Sequence, residues 1–271
     1  MSPDAGGVTA TARVTAAPGR GTGTALPELA GDGPLALRRV RSAGPYAAVA
    51  LVGAMTHPLG GDRLRLETDV RPGAALRFTT TAATVALPGR EGGAAYYDTV
   101  HRVGAGATLH WLPEPVISAR GSDLRADARV DLDADARLVF REEQVLGRTG
   151  ETTGRLTTRL SVHRAGRPLL DQELSYGPGV PGWDDGAVLG GMRAVGQLLV
   201  VDPAFAQRPV GTEVLPGTAV RCPLDGPAFL VSAVAQDALR LRRALDELAT
   251  GLVPPCAPHG HPPGGEVRTA D

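Results

Sequence analysis

The chain has 271 residues, a net charge of −1 at pH 7 and a pI near 6.6, with acidic and basic residues interleaved along it. This length allows one large domain or two small ones, and the balanced charge argues against nucleic acid as a partner. The sequence contains no lysine, which excludes a Walker A phosphate-binding loop and Schiff-base catalysis.

The two ends of the chain differ in composition from its middle. Residues 1–32 are rich in Ala, Gly, Thr and Pro without a periodic apolar face, so we predict a flexible N-terminal segment. Residues 253–271 are rich in Pro and Gly and are predicted to form a flexible tail. The intervening residues, 33–252, are predicted to form a single β-rich domain.

Short apolar runs with a period of two dominate this middle part, which is typical of β-strands. The clearest run is Arg63 to Val70, where leucine, threonine and valine alternate with charged residues. Pro72 and Gly73 then predict a tight turn. Strands are predicted at Leu35 to Val40, Tyr46 to Met55, Arg63 to Val70, Leu76 to Thr84, Ala95 to Val103, Ala107 to Leu112, Arg125 to Leu132, Arg137 to Leu146, Thr153 to Arg164, Leu169 to Tyr176 and Ala228 to Ala235, with one or two more within Ala187 to Val201.

One helix is predicted towards the C-terminal end. Asp237 is a residue type that caps helices, and Gly251 and Pro254 follow where the helical pattern stops. The apolar residues of this pattern recur three or four positions apart: Ala238, Leu241, Leu245 and Leu248. The charges mostly fall on the other faces, so an amphipathic helix from Asp237 to about Ala249 is expected to lie on a sheet.

A nine-residue pattern occurs three times, at Val70 to Phe78, Val103 to Trp111 and Leu132 to Phe140. Each copy has an aliphatic residue, a turn, and then apolar residues at alternate positions that end in an aromatic ring. A unit of about 30 residues that repeats in this way predicts a mainly β fold of stacked sheets with β-helix-like repeated strands. The alternative is a coincidence between ordinary hairpins. A weaker fourth copy around Val162 to Leu170 carries an extra residue.

A search for enzyme signatures finds nothing specific. The nucleophile elbow G-x-S-x-G, the zinc motif H-E-x-x-H and the dithiol motif C-x-x-C are absent. One alternative function is a β-stack hydrolase with paired carboxylates from Asp131, Asp133 and Asp135, although acids at such positions favour a solvent-facing role. Another is a non-catalytic β-repeat binding module, which no secretion signal supports.

The cysteines and the hydropathy indicate a compartment. Cys222 and Cys256 lie in segments of different character, which fits a reducing environment better than a disulfide framework. No basic start precedes an apolar stretch, and no run approaches the roughly 20 apolar residues that a membrane helix needs. A cytoplasmic protein without a membrane segment is therefore expected.

Several motifs occur in an order that resembles one known family. They are His57 to Leu64 (HPLGGDRL), Pro72 to Ala74 (PGA), Thr79 to Thr84 (TTTAAT), Trp111 to Glu114 (WLPE), Glu142 with Leu146 to Arg148 (LGR), and an apolar strand and helix over Ala228 to Ala249. Together they resemble the urease accessory protein UreD family, also called UreH, over roughly residues 35–249. Thr81 and Val85 stand where the family often has Gln and Lys, and Pro115 where a second acid is common, so roles of those side chains are not carried over.

The resemblance implies a maturation factor rather than an enzyme. Members of this family act as a scaffold that binds apo-urease, recruits a UreF-type accessory protein and, through it, a UreG-type GTPase that carries nickel. Ni(II) is then expected to be in transit through a water-filled interior path, with no cofactor permanently bound. The family fold, a stack of β-sheets, agrees with the repeat.

An interior path for Ni(II) needs acids and water within an apolar body, and weak ligation so that the ion can leave. Asp62, after a Gly-Gly turn, and Glu142, on the strand of the third repeat, are the first candidates. Their structural alternatives are a turn residue that accepts backbone hydrogen bonds and a partner for a nearby arginine, respectively. Glu114, Glu143 and His57 are weaker candidates for the same path.

Two further features have open roles. The tail contains a cluster of soft and imidazole ligands, Cys256, His259 and His261, that can capture Ni(II) loosely or arise by chance. Arg148 either serves a partner surface or pairs with an acid.

Overall fold

The computed structural model describes residues 6–42 and 44–249, and within these ranges the chain is mainly β-strand with one α-helix. The strands are β1 Thr9–Pro18, β2 Thr24–Ala30, β3 Leu35–Val40, β4 Ala47–Gly53, β5 Arg63–Val70, β6 Ala75–Thr80, β7 Thr84–Ala86, β8 Ala95–Val103, β9 Thr108–Leu112, β10 Val116–Ser118, β11 Asp123–Leu132, β12 Arg137–Leu146, β13 Arg155–Arg164, β14 Arg167–Tyr176, β15 Ala194–Val201, β16 Glu213–Leu215, β17 Thr218–Pro223 and β18 Ala228–Ala235. A 3₁₀ helix spans Pro203–Ala206, and α1 spans Ala238–Ala249.

The described strands form two sheets that enclose the main core. Sheet A has the order β14-β13-β11-β8-β5-β1-β2, and sheet B the order β16-β17-β18-β15-β12-β9-β6-β4-β3, with β10 paired to β12 and β7 paired to β10. The chain passes from β5 to β6, from β8 to β9 and from β11 to β12, so each coil contributes one strand to each sheet. The predicted mainly β fold of stacked, repeated strands with a C-terminal helix is confirmed.

The threefold pattern marks the corner of each coil. Val70, Val103 and Leu132 are register partners in sheet A, and Phe78, Trp111 and Phe140 are register partners in sheet B. The three aromatic rings stack in the core, with centroids 4.3 Å apart for the first pair and 6.1 Å for the second. Stacking places equivalent positions of successive coils side by side, which is why the sequence repeats there.

The weaker fourth copy is where the stack stops. β13 still pairs with β11 in parallel, but it turns back into β14 as an antiparallel hairpin, with a register shift between Val162 and His163. The extra residue in this copy is therefore accommodated by a bulge and a hairpin rather than by another corner.

The prediction of a flexible segment over residues 1–32 is wrong for the part that forms β1 and β2. β1 buries small side chains at alternate positions, including Ala12 and Ala16, and pairs in parallel with β5. Alanine contributes little hydrophobicity and has a low strand propensity, so this alternation resembles a low-complexity stretch until β5 lies beside it. β10, β16 and β17 were also not predicted, and the tail predicted over 253–271 lies outside the described residues.

α1 lies on the outer face of sheet B, against β15, β18 and β12. Its Leu241 and Leu245 are fully buried on the face that contacts the sheet, as the helical pattern predicts. They pack over Gly196, where a side chain would come within 3.0 Å of both leucines. Asp237 Oδ1 accepts a hydrogen bond from the Arg240 backbone N–H at 2.8 Å, which confirms the predicted cap. Among the described residues, no helix is long and apolar enough to cross a membrane.

Candidate functional site

Sheet B is interrupted along one seam, and this seam holds the candidate site. The pairing between β9 and β12 ends at Trp111 and Phe140. On this edge, β12 is paired again only from Gln144 onwards, with Val116 of β10. The four residues 112–115 thus lie opposite the three residues 141–143. The first segment has one extra residue, as in a β-bulge. Pro113 and Pro115 have no N–H to donate to a neighbouring strand, so the local sequence itself opens the ladder.

The neighbouring strand is interrupted at the same level. β6 ends at Thr80 and β7 begins at Thr84, and the Thr80 hydroxyl accepts a hydrogen bond from the Glu114 backbone N–H at 2.9 Å. The two segments that carry much of the family resemblance, Thr79 to Thr84 and Trp111 to Glu114, therefore meet at this one place. We call it the seam, defined by residues 80–84, 112–116 and 141–144.

A cavity of about 70 Å³ lies at the seam, between the sheets. Glu114, Glu142 and Glu143 line it from sheet B, and Thr99 and Thr158 line it from sheet A. It has two larger neighbours with which it shares lining residues. One is a cavity of about 310 Å³ that shares Thr80, Thr84 and Tyr97, and the other is a cavity of about 410 Å³ that shares Gln144.

Glu142 is the acid that the fold turns towards the interior. Its neighbours two positions away on β12, Phe140 and Gln144, are buried. The carboxylate accepts a hydrogen bond of 2.7 Å from the side-chain amide of Gln197 on β15. The predicted structural alternative was an arginine partner, whereas the described contact is with an uncharged amide. Burial raises the pKa of Glu142 to about 7, and the hydrogen bond from Gln197 offsets only part of that effect.

Glu114 and Glu143 belong to an ion-pair network on the outer side of the seam. Arg242 of α1 donates to Glu143 Oε1 at 2.6 Å and to both oxygens of Glu114 at 3.1 and 3.2 Å. Arg141 lies 2.8 Å from Glu143 Oε1 and donates to Asp246 of α1 at 2.8 Å. Burial raises the pKa of Glu143, against the opposing effect of the two arginines. The network fastens the helix to the seam.

Asp62 and His57 form a separate buried pair. Asp62 Oδ2 lies 2.5 Å from His57 Nδ1 and accepts from the Leu59 N–H at 2.8 Å, and Oδ1 accepts from the Val8 N–H at 2.8 Å. Both oxygens are thus engaged by protein donors, as expected for the turn-residue alternative. His57 lines the cavity of about 310 Å³, so the pair stands beside one end of the cavity row. Burial acts to raise the pKa of Asp62, but its hydrogen bonds from Leu59, His57 and Val8 hold the pKa below the usual value.

Replacing Asp62 by asparagine should destabilise the protein by about 2 kcal/mol at pH 7, because an amide nitrogen replaces one of two buried acceptor oxygens. Since folding lowers the pKa of Asp62, its stabilising effect is complete above the usual value of 3.8 and is lost as the pH falls through the folded value. Urea denaturation at several pH values measures the difference, which should shrink in acid. An equal difference at every pH would show that the ionised carboxylate is not the cause.

The other candidates lie away from the seam. Arg148 pairs with Glu151 through contacts of 2.8 and 3.0 Å, as the acid-pairing alternative expects. Asp131 is held by Arg129 on the outer face of sheet A, and Asp135 accepts the Gly106 N–H at 2.9 Å in a turn. Asp133, the third acid of the hydrolase alternative, is exposed. The predicted tail ligands Cys256, His259 and His261 lie outside the described residues.

Two residues of the site were missed by sequence reasoning. Gln197 is the only strongly polar side chain in β15, whose residues are all buried. A polar residue within such an apolar run indicates a buried hydrogen-bond partner, and the sequence shows this signal. Arg242 gives no such signal, because it is one of several arginines on an amphipathic helix. Within the described ranges, no cluster of three or more His, Cys, Asp or Glu residues is arranged to hold a metal ion.

The fold and the site define a class of protein: a stack of coiled β-strands that encloses an acid-lined cavity between its sheets. The family model described as UreD urease accessory protein matches residues 8–263, and the chain belongs to this family. It is 59% identical to a urease accessory protein UreD of Streptomyces griseus subsp. griseus, over 91% of this chain and 97% of the relative. It is 57% identical to the UreD of Streptomyces avermitilis, over 92% and 99%, and 56% identical to that of Streptomyces coelicolor, over 93% and 100%.

Proposed function

We propose that this protein is a urease maturation scaffold through whose interior Ni(II) passes on its way to the urease active site. In this role it binds apo-urease and a UreF-type accessory protein, and through the latter a UreG-type GTPase that supplies the ion. The protein performs no chemistry of its own and keeps no cofactor, so Ni(II) is its cargo. The proposal places it in the cytoplasm. Membership of the urease accessory family supports the maturation role.

The observation that carries the nickel path is the placement of Glu142. Its carboxyl group lines a cavity between two sheets and is hydrogen-bonded by a neutral amide rather than by an arginine. Glu142 is partly buried, and a carboxyl group held largely out of solvent without a countercharge lowers stability when it ionises, which favours a functional reason for its presence. An ionised carboxylate among amide and hydroxyl groups is a weak ligand for Ni(II), and weak ligation suits an ion that must move on.

The row of cavities supplies a route for such an ion. The cavity beside His57, the seam cavity and the cavity beside Gln197 share lining residues in that order. Threonine hydroxyls and a glutamine amide line the steps between them, at Thr80, Thr84 and Gln144. Such groups hold water, which hydrates a moving cation. In this proposal Glu142 provides the anionic position halfway along the row.

Deletion of the gene for this chain, in a strain that expresses urease and the other accessory proteins, should leave urease assembled but poor in nickel. The measurement is nickel per purified urease by elemental analysis, together with urease activity. Complementation with the intact gene should restore both values. A nickel-replete, active urease in the deletion strain would refute the maturation role.

A further inference from the structure

One side chain of α1 bridges the two sides of the seam on its outer face, at a place that we call the mouth. The Arg242 guanidinium holds a carboxylate from each side of the interruption, Glu114 from the β9–β10 segment and Glu143 from β12. Both carboxylates also line the seam cavity, on whose inner side Glu142 lies. Arg242 is only 23% exposed, so its charge is held at this position rather than in solvent. A cationic group of the helix thus occupies the place where two acids converge.

Among the enclosed side-chain atoms described around this mouth, acceptors without a hydrogen-bond partner outnumber such donors, of which Arg141 Nε is one. The side chain of Glu143 is fully enclosed, yet its Oε2 has no hydrogen-bond partner among the described residues. The same holds for the Oε1 atoms of Gln144 and Gln197, which are 3% and 5% exposed. When Glu142 is ionised, the orientation of Gln197 follows from chemistry, because only the amide nitrogen can donate to a carboxylate. Buried acceptors of this kind are satisfied by water or by a cation.

We propose that Arg242 is a displaceable plug: when α1 lifts from sheet B, a divalent cation takes the place of the guanidinium between Glu114 and Glu143. The inference deepens the proposed function and rests on it, because it gives α1 control over one entrance to the Ni(II) path. In the closed state the positive charge of Arg242 repels cations from the mouth. In the open state Arg141 of β12 stays 2.8 Å from Glu143 Oε1, so the ion is held by the Glu114 carboxylate and by Oε2 of Glu143, next to Glu142, and can pass inward.

The attachment of α1 suits a part that can be lifted. Among the described residues, its buried apolar side chains are Leu241 and Leu245, which pack over Gly196 and belong to the core cluster on the outer face of sheet B. Its side-chain contacts with the seam are ionic, through Arg242 and Asp246. When the divalent cation replaces Arg242 at the mouth, Glu114 and Glu143 still have a positive charge beside them. Lifting of α1 therefore does not leave two unpaired carboxylates in the interior.

The test is Ni(II) binding to the full chain by isothermal titration calorimetry, with NiCl₂ as the probe. The Arg242→Gln variant should bind Ni(II) about tenfold more tightly than the unaltered protein, because a repelling charge within contact distance is removed. Arg243→Gln is the matched control, since Arg243 is exposed on the same helix, and its affinity should not change. The double variant Arg242→Gln with Glu143→Gln should lose the gain.

Arg242→Lys guards against a folding defect, because lysine keeps the charge but cannot bridge two carboxylates in the way that a guanidinium does. It should bind Ni(II) more tightly than the unaltered protein and less tightly than Arg242→Gln. Unchanged affinity in either variant, with the circular dichroism of the unaltered protein, would overturn the plug. So would a gain that survives Glu143→Gln.

A parallel assay separates this inference from the proposed function. The unaltered protein is tested for nickel insertion into urease in the deletion strain. If it restores nickel while the Arg242 variants bind no more Ni(II), the plug is wrong and the maturation role stands. If the variants gain affinity while urease is nickel-replete without this protein, the mouth binds cations and the proposed function is wrong.

Discussion

Replacing Glu142 by glutamine should make the protein more stable at pH 8 and should largely abolish its support of nickel insertion. Glutamine has nearly the same shape and can still accept the hydrogen bond from Gln197. It carries no charge, so it removes both the cost of burying a carboxylate and the anionic ligand. Opposite effects on stability and on function are characteristic of a residue kept for function.

The stability effect has a defined pH window. Burial raises the pKa of Glu142 from the usual 4.5 to about 7, so between these values the folded protein holds a proton that the unfolded chain releases. The free energy of unfolding of the unaltered protein therefore decreases as the pH rises from 4.5 to 7 and then stays low. The glutamine variant lacks this decrease, and at pH 8 it should be more stable by up to about 3 kcal/mol.

The functional effect is measured as nickel per urease in the deletion strain, complemented with each variant. Glu142→Gln should lower the nickel content by about tenfold, in the range of effects for residues that tune metal sites. Glu91→Gln, an exposed loop acid, is the matched control and should change neither stability nor nickel content. Full nickel insertion with the Glu142 variant would remove Glu142 from the path.

Replacing Phe140 by alanine should destabilise the protein by about 3–5 kcal/mol, the largest stability effect that we expect. Phe140 is 1% exposed and lies at the end of the stack with Trp111 and Phe78, where the three coils meet. Truncation leaves a hole that neighbours on two sheets cannot fill, because their backbones are held by strand pairing. Chemical denaturation followed by circular dichroism measures the loss.

The matched control is Phe205→Ala. Phe205 is partly buried on the outer side of sheet B, with its ring centroid 5.4 Å from that of Phe229. It should lose only about 1–2 kcal/mol, since less area leaves the water when it folds. Equal losses at Phe140 and Phe205 would show that the aromatic stack is not the centre of the fold.

Local pattern predicted most of the strands and the helix. The alternation in Arg63 to Val70 and the threefold corner report which face of a strand is buried, and each copy of the repeat lies beside the next. The helical spacing of Leu241 and Leu245 likewise reports the buried face of α1. Such features are visible in a sequence because a period of two or of three to four residues is a property of neighbouring residues.

The candidate site was only partly visible. Glu114 and Glu142 lie in the family motifs and Glu143 follows Glu142 in the sequence, and the fold brings all three to one cavity. Asp62 and His57 were named for the same path but pair with each other beside a different cavity. The motifs indicate a family, but they do not indicate which way each side chain faces.

The sequence by itself determined the class of fold, the repeat, the helix and the family of this protein, because periodicity and motif order are properties of the chain alone. Only the tertiary structure decided that β1 joins sheet A, that Gln197 meets Glu142 across 55 residues of chain, and that Arg242 reaches Glu114 across 128. The physical reason is that local pattern specifies a face, whereas the partner on that face is chosen by packing among distant segments.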